Sequence, residues 1–122
     1  MLQRIKDIAE KYGTSEVYIL TARDPKAAEA IQLFLKAQGL DLPIENIVGL
    51  ADGTAAAKGR WVLDKTGQGY NDWYFTDDQI KNVDEVKRIL DIADVKSDVQ
   101  LSKAALTNDE INVTFNRFLE TS

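Results

Sequence analysis

"WYFTDDQIKNV", residues 73–83, decides how this chain is read. Its aromatic start has the composition of a short buried strand, and the strand pattern stops at two adjacent aspartates, Asp77 and Asp78. A helical repeat begins directly behind them. Neighbouring carboxylates repel unless a cation sits close by. One aspartate is accounted for as a helix cap, and a second gains something from the positive end of the helix dipole. The pair as a whole is better explained if its oxygens hold a hard divalent cation, Mg²⁺ above all, directly or through water.

Working outward, helix and strand patterns alternate. Residues 2–12 place Leu2, Ile5, Ile8, Ala9 and Tyr12 on one helical face, with Gly13 as a stop. Residues 17–20 form a short apolar strand, and Asp24-Pro25 offers the N-cap and first-turn proline of a helix ending at Gln38–Gly39. A second strand at 47–50 is followed by a helix over 54–65, and a third strand covers 72–75. The next helix buries Ile80, Val83, Val86, Ile89, Leu90 and Ala93, and residues 95–101 make a fourth strand. Thr107–Asp109 start a last helix, residues 107–120, holding Ile111, Phe115, Phe118 and Leu119. Alternation without a hairpin signal predicts one α/β domain over 1–122, a Rossmann-like three-layer fold. Its sheet is expected to have about four mainly parallel strands with helices on both faces.

Ligands of such sheets bind beyond the carboxyl ends of the strands. That singles out three short stretches. Thr21-Ala22-Arg23 presents a hydroxyl and free amides at a strand-to-helix turn, a natural anion site, although Thr21 can equally just end the strand while Asp24 caps the helix. Lys58 lies about one turn into its helix, where the dipole disfavours a cation; an anion that needs it would explain its place, and a solvated lysine on a short helix would do so equally. Asp77 and Asp78 complete the set. A hydroxyl, an ammonium and paired acids at one crevice suit a phosphate with Mg²⁺, where catalysis is mostly charge neutralisation and positioning.

Composition narrows the chemistry. The 122 residues contain no Cys and no His, which removes disulfides, thiolate metal sites, His-dependent triads and the usual zinc sites. A net charge of −5 argues against nucleic acid as a partner. Apolar runs fall far short of a membrane span, and the opening residues lack an export signal, so a cytoplasmic protein is expected.

The stretch "VYILTARDP", then Lys58 near the start of its helix, then "WYFTDDQIKNV" resemble motifs two, three and four of the haloacid dehalogenase-like (HAD) phosphohydrolases. The likeness covers residues 17–100 and is closest to the small HAD-like proteins of tailed bacteriophages. "TAR" and "DD..KN" stand 56 residues apart, with Lys58 19 residues before Asp77. The resemblance implies a Mg²⁺-dependent phosphatase acting on a small phosphorylated substrate. In it Thr21 and the N–H of Ala22 hold phosphate, Lys58 steadies phosphate and nucleophile, and Asp77 with Asp78 holds Mg²⁺.

One part is missing. The family's first motif, Asp-x-Asp at the end of the central strand, occurs nowhere in the sequence, and the residues ahead of position 17 form a helix whose one aspartate is Asp7. The run Asp64-Lys-Thr-Gly67 looks like a P-type ATPase phosphorylation motif but follows a helical pattern and comes after the threonine and lysine motifs. The acidic pair of a receiver domain fails as well, because it needs more strands downstream. Two expectations follow: a fragment whose nucleophile is encoded upstream, or a non-catalytic binding or assembly module, potentially a homodimer. Without the family's first strand, strands 17–20 and 72–75 must pair directly or borrow a strand from another copy.

Overall fold

The computed structural model describes residues 2–102 and 111–117. Helix α1 (Leu2–Tyr12) leads into strand β1 (Val17–Thr21). A short 3₁₀ turn, capped by Asp24 with Pro25 in its first position, opens helix α2 (Ala28–Ala37). Strand β2 (Ile47–Gly49), helix α3 (Ala55–Gly67), strand β3 (Asp72–Asp77), helix α4 (Ile80–Ala93) and strand β4 (Lys96–Leu101) follow. The last element is strand β5 (Ile111–Arg117).

The strands form one sheet in the order β2-β1-β5-β3-β4. β1 pairs with β2, and β3 with β4, in parallel. β5 joins the two parallel pairs and runs antiparallel to both of its neighbours. The fold is therefore mixed α/β, with five strands where four were expected and an antiparallel strand at the centre. The predicted helix over 107–120 is corrected by this: residues 111–117 are strand, and the rest of that span lies outside the described residues. Ile111, Val113 and Phe115 alternate with polar residues, which is a period of two, and the position between β1 and β3 requires backbone partners on both sides. Neither direct pairing of β1 with β3 nor a strand borrowed from a second copy is needed, because the chain fills the slot itself.

Side-chain alternation along the strands splits the core in two. Val17 and Ile19 of β1 and Tyr74 of β3 pack with Ile5 and Ala9 of α1 and with Ile31 and Leu35 of α2. Leu20, Trp73 and Phe75 point the other way, onto Val62 of α3 and Val86 and Leu90 of α4. Helices thus cover both faces. Gly59 lets α3 and α4 approach closely, since a Cβ there would sit 3.0 Å from Glu85 Cγ. Ile80, expected in the core, is 57% exposed: it is the first residue of α4, at the sheet edge. Among the described residues no helix is long and apolar enough to cross a membrane.

Candidate functional site

The carboxyl ends of β1, β2 and β3 lie on one edge of the sheet, and the sequence explains how each is held. β1 ends at Thr21, which is fully buried and whose Oγ1 accepts the N–H of Arg23 at 3.2 Å. Beyond the β2 ladder, the N–H of Leu50 donates to Thr21 O and that of Ala51 to Arg23 O, at 2.8 and 2.9 Å. The turn after β1 is thereby tied to the end of β2. Gly49 makes that possible: a Cβ would come within 2.5 Å of the Pro25 backbone nitrogen. Ala51 adopts φ +53°, a left-handed conformation that costs a non-glycine residue about 1 kcal/mol. Strained backbone of this kind gathers where a loop is held for a purpose.

α3 starts at Thr54, whose Oγ1 accepts the Ala57 N–H at 3.3 Å, while Asp52 Oδ1 accepts the Thr54 N–H at 2.8 Å. Three alanines at 55–57 keep the first turn slim, so the helix can bring Lys58 against the sheet edge. Lys58 is 1% exposed, Asp77 is fully buried, and Lys58 Nζ donates to Asp77 Oδ2 at 3.2 Å. Asp77 Oδ1 accepts the N–H of Gln79 at 2.9 Å, and the Asn82 amide hydrogen-bonds the same carboxylate. Burial pushes the Asp77 carboxyl above the usual range, against the opposing pull of Lys58, the Gln79 amide and Asn82. Here the ion pair is desolvated and each charge depends on the other.

Two oxygens at this place have no partner among the described residues. Asp78 Oδ1 and Asn82 Oδ1 are both buried without a hydrogen bond. Asn82 lies four residues after Asp78 and is itself 2% exposed. A buried, unsatisfied acceptor costs about 1–3 kcal/mol, and both of these lie within five residues of the buried Asp77 carboxylate. Among the described residues no three acidic side chains gather as a ready metal cage. The acceptors at this edge are all oxygens: the Asp77 carboxylate, already bonded to Lys58 and the Gln79 N–H, and the unbonded Oδ1 atoms of Asp78 and Asn82.

The five residues expected at the site are thus placed as follows. Lys58 and Asp77 are in contact, and Asp78 follows at the same strand end. Thr21 and Ala22 are on the same edge across β5. Ile19 and Thr76 both pair with Val113, so Asp77 stands level with Leu20, two strand spacings or about 9.5 Å away. Sequence reasoning quoted Asn82 within the acidic stretch but gave it no role. Its signal is an amide inside a helix, where such a residue is a poor helix former. Comparison with protein-family models, with curated proteins and with solved structures finds no match.

Proposed function

We propose that this chain carries the phosphate-and-Mg²⁺ pocket of a HAD-like phosphohydrolase without the attacking carboxylate. It then binds a phosphorylated ligand or inorganic phosphate and does not hydrolyse it unaided. The observation that carries the reading is the buried Lys58–Asp77 pair at the strand ends with the unpartnered oxygens of Asp78 and Asn82 beside it. Asp77, Asp78 and Asn82 are the residues that would hold Mg²⁺, and the ion would neutralise charge on phosphate oxygens. Lys58 contributes a fixed positive charge from a site closed to water, where it acts more strongly than in solution. The Thr21-Ala22-Arg23 turn supplies the opposite rim, with Thr21 Oγ1 already fixing the Arg23 amide.

A thermal-shift titration tests this. Mg²⁺ and inorganic phosphate together are expected to raise the Tm more than either alone, and Asp78→Asn is expected to abolish the joint effect. No response in the wild-type chain would refute the pocket. Hydrolysis of an aryl phosphate, lost in Asp77→Asn, would refute the missing attacker. A structural reading is favoured by one contact, the Gln79 N–H on Asp77 Oδ1, which makes Asp77 the acceptor of a turn opening α4. On that reading the pair is an internal brace, and the titration is silent.

A further inference from the structure

The opposite edge of the sheet holds a second constellation that the phosphate reading does not use. Glu16 precedes β1, Tyr18 lies near its start, Tyr70 precedes β3, and Trp61 and Lys65 come from the last turns of α3. Lys65 Nζ sits over three rings, 4.7 Å from the centroid of Tyr18, 5.4 Å from Trp61 and 5.6 Å from Tyr70. Tyr18 and Trp61 meet edge to face at 5.2 Å, and Trp61 meets Trp73 in the same way at 6.3 Å, so the indole is braced from behind. The carboxyl end of α3 adds its own negative potential. Rings and helix end both favour a cation here.

The charges at this cage are not matched. Glu16 hydrogen-bonds the Tyr70 hydroxyl through its side chain, yet its Oε2 is buried with no partner among the described residues. Burial, aided by the hydrogen bonds to Glu16 and Tyr18, keeps that hydroxyl protonated above its ordinary range. Among the described residues Lys65 makes no ion pair, although it and Glu16 border the same tyrosine. An ammonium satisfies the rings and leaves the carboxylate oxygen without a donor. A planar guanidinium does both: it stacks on aromatic faces and directs N–H groups outward to a carboxylate.

We infer that Tyr18, Trp61, Tyr70 and Glu16 form a binding site for a guanidinium group, with Lys65 as the internal stand-in that an incoming ligand displaces. Displacement is inexpensive because the lysine stem is flexible and its head group moves from rings to water. The guanidinium belongs either to a small molecule or to an arginine of a peptide.

Tryptophan fluorescence follows binding, since one of the two tryptophans is in the cage. Lys65→Met, checked for native fold by circular dichroism, is titrated with ethylguanidinium, with tetramethylammonium and with a Gly-Arg-Gly peptide at constant ionic strength. Ethylguanidinium is expected to bind saturably and at least tenfold more tightly than tetramethylammonium, which stacks but cannot donate to Glu16. Adding Glu16→Gln is expected to erase that preference, and the wild-type chain should bind at least fivefold more weakly because Lys65 competes. The tighter of ethylguanidinium and the peptide identifies the source of the group. No saturable signal in folded Lys65→Met, equal binding of the two small cations, or equal affinity with and without Lys65 would each overturn the assignment. Neither the probes nor the variants touch the Asp77 edge, so failure here leaves the phosphate reading standing.

Discussion

Replacing Lys58 by Met removes the ammonium from the Lys58–Asp77 pair while keeping most of the side chain's volume, so little cavity forms. Both partners are essentially inaccessible, at 1% and 0%. Removing one member of such a pair strands the other charge in a low-dielectric place and costs about 3–5 kcal/mol. Against a total stability of about 5–15 kcal/mol, that is a large share. Asp77→Asn strands Lys58 instead, but an asparagine oxygen can still accept the Gln79 N–H, so its cost falls at the lower end of the same range. The double variant holds no charge at this place. It is expected to cost less than the two single changes together by at least about 2 kcal/mol, the usual signature of coupled neighbours. Urea unfolding at pH 7, with unchanged slopes, measures all four corners of the cycle. Additivity within about 0.5 kcal/mol would refute the desolvated pair and, with it, the reason for placing a functional lysine there.

Gly49→Ala drives a methyl group into the Pro25 backbone at 2.5 Å, so the turn holding Thr21–Asp24 must shift. The expected loss is about 1–3 kcal/mol in unfolding free energy, together with a weaker joint response to Mg²⁺ and phosphate. Asp77 titrates above its ordinary value of 3.8, so the folded chain keeps a proton that the unfolded chain releases. Its contribution to stability is full below 3.8 and is lost as pH rises through the folded value; the wild-type stability profile should fall across that window, and the Asp77→Asn profile should lack this component. Thr114→Ala separates strand from helix by sign. A central strand loses up to about 1 kcal/mol, whereas a helix over the same residues gains a few tenths.

Most of the layer plan was written in local patterns. Apolar runs of three to five residues between capped helices read as strands, and Asp24-Pro25, Thr54 and Gly13 marked helix ends through their own chemistry. The alternation also singled out the candidate edge, because it fixed which strand ends point the same way. What misled was the final segment. Ile111, Phe115, Phe118 and Leu119 fit a helical stripe, while Ile111, Val113 and Phe115 fit a strand, and seven residues cannot decide between the periods. The decision is tertiary: two parallel strands with open inner edges accept a strand and not a helix. Lys58 was singled out by its misfit with the helix dipole, and the fold buries it against Asp77. Asn82 and the aromatic cage around Lys65 were not found, because their meaning lies in an unpartnered oxygen and in rings brought together from three separate elements.

β5 also governs what chemistry the Lys58–Asp77 edge can acquire. It pairs at five positions with β1 and at five with β3, so the centre of the sheet is occupied on both sides. In HAD-like enzymes the attacking aspartate leaves the carboxyl end of a central strand that runs parallel to its neighbours. A strand of that kind can enter between β1 and β3 only if β5 leaves and gives up both ladders, which exposes two rows of backbone donors and acceptors until the newcomer pairs. A nucleophile arriving from elsewhere must therefore either displace β5 or reach the Lys58–Asp77 edge from above the strand ends. The second route leaves the sheet intact and is the less costly. On the proposed reading, a pocket held on this sheet would work first as a phosphate and cation receptor, and any reaction there would depend on a group presented to the edge, not on one built into the central strand.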